Sequence, residues 1–78
     1  MVIAGVLLPS TSLSLLVRCL DGAGEHELAQ DIGVAVDANR QEMRLGPGEE
    51  RAILGVLRNC PHPLQPLRDA LEATTRRA

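Results

Sequence analysis

Apolar residues recur at helical spacing through most of this chain. Leu13, Leu16, Val17 and Leu20 fall at i, i+3, i+4 and i+7, the spacing of one helical face. Asp21-Gly22-Ala23-Gly24 follows, and Gly22 reads as the stop. Leu15 and Cys19 widen the apolar arc, so a buried strand is the alternative. In that alternative, the stretch from Val2 to Leu8, rich in β-branched residues, pairs with it as a hairpin through Pro9–Ser12. The helix over residues 12–20 is the preferred reading.

The stripe is cleaner from Glu25 to Asn39, where Leu28, Ile32, Ala35, Val36 and Asn39 track one face. Glu25 and Glu27 lie in the first turn, where negative charge suits the helix dipole. Gly33 interrupts the helix at a cost of about 1 kcal/mol against Ala. Close approach of another helix would be one reason to keep it. Asn39 and Arg40 suit the exit.

Met43-Arg44-Leu45 alternates, which predicts an extended link with Met43 and Leu45 inward. Pro47 then suits the first position of a helix, where its missing N–H would be unpaired anyway. Glu49 and Glu50 place acid in its first turn. Ile53, Val56, Leu57 and Cys60 form its stripe, with Leu54 alongside, and Pro61 and Pro63 end it. A last helix begins at Pro63 or Pro66. It carries Leu64, Leu67, Ala70 and Leu71 on one face and Arg68, Asp69 and Glu72 on the other. Residues 74–78 read as a fraying tail whose Arg76 and Arg77 suit a helix C-terminus.

These elements predict an all-α domain, a compact bundle of three to four short helices with an extended link near residues 42–45. The alternative is α+β, with an N-terminal β-hairpin packed on three helices. Residues 1–78 make one small domain, with 1–11 and 74–78 as flexible ends. The order of elements is generic and resembles no particular family.

Composition changes this picture in one respect. The chain contains no Phe, Tyr or Trp, and all 8 of its basic residues are Arg. Aromatic side chains bury about 150–250 Å² each and usually dominate a small core. A core of Leu, Ile, Val, Ala, Met and Cys in 78 residues is thin, because domains of this size seldom supply more than about 3–5 kcal/mol net. Self-association is therefore expected, since a second copy adds buried area without new chain. The scarcity of residues with AT-rich codons points to a high-GC bacterial gene.

Net charge is −2, with a pI near 5.5. Dedicated nucleic-acid binders usually carry a basic excess, so this balance argues against them. The apolar run from Val2 to Leu8 is broken by Pro9 and falls short of the roughly 18 residues of a membrane span. No Lys or Arg precedes Arg18, which is not the pattern of a signal peptide. The expectation is a cytoplasmic protein without a membrane partner.

Candidate chemistry is sparse. Cys19 and Cys60 each fall on an apolar stripe, where reduced thiols act as small hydrophobes. Cys19, His26, Cys60 and His62 match zinc in number, but paired knuckle spacing is missing and Cys60-Pro61-His62 is a lone C-x-H. Ser10, Ser12 and Ser14 lack a nucleophile elbow. Cys60 and His62 would not face each other on a helix. Gly22-Ala23-Gly24 and Gly46-Pro47-Gly48 lack the rest of a phosphate loop and read as turns. No catalytic residue, cofactor or metal is assigned, and an enzyme is not expected.

The leading expectation is a non-enzymatic protein–protein interaction or accessory module, pairing with itself as a homodimer or with another protein. Leu15, Leu54 and Leu64 lie on the margins of their stripes and are the expected partner surface. A second hypothesis is a small DNA-binding regulator using an Arg44, Arg51 and Arg58 face. The acidic balance, the long connection from Asn39 to Pro47 and the missing stacking groups oppose it. The third is a thiol or metal protein using Cys19 and Cys60.

Overall fold

The computed structural model describes residues 1–77. Two short strands, β1 (Val2–Ile3) and β2 (Val6–Leu7), open the chain as an antiparallel hairpin, with Val2 opposite Leu7 and Ile3 opposite Val6. The turn places Ala4 at φ 53° and Gly5 at φ 79°, the pair of positive φ values that a type I′ turn requires. The hairpin thus closes inside residues 2–7. It does not pair through Pro9–Ser12, as the strand alternative supposed. Leucines at helical spacing outweigh the local β preference, and Pro9 becomes the residue before helix α1 (Ser10–Gly22).

Helix α2 (His26–Asp37) follows a short link, then strand β3 (Glu42–Met43), helix α3 (Pro47–Val56) and helix α4 (Gln65–Arg77). Two 3-10 turns, Leu57–Asn59 and His62–Leu64, join α3 to α4 around Pro61. The fold is mainly helical, with four α-helices and a three-stranded sheet of order β2-β1-β3 among the described residues. The extended link is β3, which pairs parallel to β1 with Val2 opposite Glu42 and Ile3 opposite Met43. Val2 N–H donates to Gln41 O at 2.8 Å and draws the link against the hairpin.

Both of the first two helices end in a Schellman motif. At α1, Glu25 N–H donates to Leu20 O and Gly24 N–H to Asp21 O, with Gly24 at φ 87°. The stop is therefore Gly24, and Gly22 is the last helical residue. At α2, Arg40 N–H donates to Ala35 O and Asn39 N–H to Val36 O, with Asn39 at φ 53°. Helix α3 begins as its sequence predicts. Pro47 occupies the first position, and Glu49 Oε1 accepts from Gly46 N–H at 3.3 Å.

The core gathers one stripe from each helix. Leu16, Leu20, Ile32, Ile53, Leu57, Leu64, Leu67 and Leu71 have no more than trace exposure, and Ile3 of β1 joins them. Met43 and Leu45 pack against this cluster, as the alternation predicts. Ser12 is buried in the first turn of α1. Gly33 departs from expectation. A Cβ built there meets nothing within 4 Å, so no helix closes on it.

Candidate functional site

Helices α1 and α2 pack along each other more extensively than any other pair of elements. Their link, residues 23–25, is short enough to force a hairpin of antiparallel helices. The start of α1 and the end of α2 accordingly meet, with Ser10, Leu13, Val36 and Asn39 lining one small hollow. On the outer side of the pair runs an open groove of about 370 Å³. Leu13, Ser14 and Val17 of α1 and Gly33 and Val36 of α2 line it, with Arg18 and Asp37 also on its walls. Val17 and Val36 are half-buried, whereas Arg18 and Asp37 are exposed.

The polarity of the groove follows from the hairpin. Arg18 lies four residues before the end of α1, and Asp37 ends α2. At a rise of about 1.5 Å per residue, Arg18 is about 6 Å and Asp37 about 16 Å from the linked end. The groove is thus mainly apolar along its middle, where exposed Ser14 interrupts Leu13, Val17 and Val36, with Arg18 toward the link and Asp37 toward the open end, beyond which Arg40 lines the adjoining hollow. Among the described residues neither Arg18 nor Asp37 has an ion-pair partner.

The expected partner leucines do not form this site. Leu64 has 0% exposure. It lies in the 3-10 turn that the two prolines impose, which rotates it under α1 and into the core. Leu15 and Leu54 are half-buried against the core. The large apolar residues that do face solvent are Leu7, at 73% exposure, and Val34, at 59%. Leu7 lies on the outward side of a strand two residues long, and Val34 stands beside Gly33. Simple alternation from buried Ile3 would place Leu7 inward; the hairpin register, which pairs Ile3 with Val6, turns it out. Val34 sits off the Leu28–Ile32–Ala35 stripe, which marked it as outward.

Arg44, Arg51 and Arg58 are all exposed and form no ion pair among the described residues. The ordered arginine is instead Arg68. Its Nε–H donates to Glu72 Oε1 at 3.1 Å, and its Nη1 donates to Arg58 O at 3.1 Å. It ties α4 to the first 3-10 turn, and the Glu72 carboxylate holds its guanidinium above its ordinary pKa. The i, i+4 spacing of Arg68 and Glu72 made that pair readable from sequence.

Cys19 and Cys60 are free thiols and are half-buried, more open than small core hydrophobes would be. Cys60 Sγ donates to Gln65 Oε1 at 3.6 Å. His26 Nδ1 pairs with Asp21 Oδ1 across the α1–α2 link, where both side chains are exposed. Among the described residues there is no group of three or more His, Cys, Asp or Glu placed to hold a metal ion. Nor is any described helix long and apolar enough to cross a membrane. Comparison with protein-family models, curated proteins and solved structures finds no match to this chain.

Proposed function

We propose that this chain is a non-enzymatic helical interaction module that associates with itself. The observation that carries the reading is the open α1–α2 groove. Leu13, Val17 and Val36, with Ser14 among them, flank a mainly apolar strip with nothing above Gly33. In a domain with no aromatic residue in its core, covering such a strip adds stability that the chain lacks alone. Binding to the folded form also raises apparent stability by mass action. The proposed setting is the cytoplasm of a high-GC bacterium.

Sedimentation equilibrium from low to high micromolar concentration tests this reading, together with the thermal midpoint across the same series. The expected result is a mass rising toward two chains and a midpoint rising with concentration. A single-chain mass and a constant midpoint throughout would refute it.

A second reading keeps one observation in its favour. Arg44, Arg51 and Arg58 are exposed and free of ion pairs among the described residues, as a DNA-contacting face requires. Glu49 and Glu50 lie between Arg44 and Arg51 in sequence and oppose it. Duplex binding that weakens steeply with salt, and is lost on replacing these arginines, would support it over self-association.

A further inference from the structure

We infer that the α1–α2 groove is a two-fold self-docking surface, in which a second copy of this chain lies antiparallel across it. The inference rests on the self-association reading and adds where and how the copies meet. Three features of the groove point the same way.

The first is charge. A two-fold axis through the middle of the groove exchanges its ends. Arg18 of one copy then meets Asp37 of the other, and the same contact repeats on the opposite side. An isologous interface needs this property, a surface complementary to itself under rotation. Arg18 and Asp37 stand about 10 Å apart along the helix axis. They do not pair with each other within one chain, neither has an ion-pair partner among its described residues, and each gains one in the pair.

The second is Gly33. It lies inside α2 at ordinary helical φ, where Ala would be more favourable by about 1 kcal/mol. No neighbour in the chain fills the space a Cβ would occupy. A facing helix would use that space for close approach of its own side chains.

The third is Asp37 itself. A carboxylate at a helix C-terminus opposes the helix dipole. Asp21 lies in the last turn of α1 but is paired with His26. Asp37 has no ion-pair partner among the described residues, although Arg40 follows it by one turn. Two residues unfavourable to the helix that carries them thus line one apolar groove, the arrangement expected where a surface serves association rather than local stability. The face is only two short helices wide, so the pair is weak and concentration-dependent.

The test uses the full chain and two charge reversals at exposed positions, Arg18→Glu and Asp37→Arg. Each alone sets like charges together at both repeats and is expected to weaken dimerisation about tenfold. The double variant restores it. Mixing the two single variants also restores it. In the mixed pair the two reversed charges face each other at one repeat, and the unaltered Asp37 and Arg18 face each other at the other. Gly33→Leu is expected to abolish dimerisation, whereas Gly55→Leu, at an exposed position of α3, leaves it unchanged. Far-ultraviolet circular dichroism confirms that each variant is folded. A wild-type dimer indifferent to all of these changes would overturn the groove while leaving self-association standing. A wild type that remains a single chain at every concentration would overturn both.

Discussion

The glycines allow one substitution to be predicted with opposite signs at two positions. Gly5 and Gly55 are both exposed, and a Cβ added at either meets nothing within 4 Å. Steric room is therefore equal, and only the backbone differs. Gly55 lies inside α3, in the ordinary helical region. Gly55→Ala removes unfolded-state freedom and adds a better helix former, a gain of about 0.5–1 kcal/mol. In a domain of this size that raises the melting midpoint by roughly 2–8 °C. Gly5 holds φ at 79° in the hairpin turn. Ala there meets a left-handed penalty of about 1–2 kcal/mol, offset by about 0.4–1 kcal/mol from the stiffer unfolded chain. The net expectation for Gly5→Ala is a loss of about 0.5–1 kcal/mol. Urea unfolding at one low protein concentration, followed by circular dichroism, measures both. The slope of free energy against urea should stay constant, so that midpoints report stability alone. A Gly5→Ala midpoint at or above wild type would refute the type I′ turn. A Gly55→Ala midpoint below wild type would refute a continuous α3.

The other predictions concern the core, a cap and the thiols. Leu64→Ala should cost about 2–5 kcal/mol in urea unfolding, enough to unfold much of the population, whereas Leu7→Ala should stay within about 0.5 kcal/mol of wild type. Asn39→Ala should destabilise the chain while Asn39→Gly is neutral or better, because Asn39 supplies the left-handed residue of the α2 Schellman motif. Gly46→Ser should stabilise by a few tenths of a kcal/mol in the same assay, since Glu49 already accepts from residue 46 and serine would complete the box. Ellman titration should find Cys19 and Cys60 reacting slowly when native and fully in denaturant. Failure to react in denaturant would contradict free thiols.

Much of the fold was legible along the chain because its signals are local. The stripes at Leu13–Leu20, Leu28–Ala35 and Leu64–Leu71, Pro47 at a helix start and the alternation at Met43–Leu45 each depend on neighbours a few residues away. Pattern and capping chemistry suffice for these. The places where the sequence misled need distant partners. Val2–Leu8 carries β preference, but only β3, beyond both of the first two helices, supplies the partner that makes β1 a central strand. The choice between Gly22 and Gly24 is local instead: composition suits both as stops, and the backbone hydrogen bond from Glu25 to Leu20 selects Gly24.

The site was less legible than the fold. Leu64 looked marginal on its stripe, yet the prolines on either side place it in a 3-10 turn, and that rotation buries it completely. The spacing of Leu64 with Leu67 and Leu71 was the better guide, since all three are fully buried. Arg18, Gly33 and Asp37 looked unrelated in sequence, and the antiparallel packing of α1 on α2 brings them onto one groove. The sequence by itself determined the helices, most of their ends and the aromatic-free core, because these follow from local spacing and residue type. Only the tertiary structure decided which apolar residues stay open to solvent, because exposure depends on what the rest of the chain leaves uncovered.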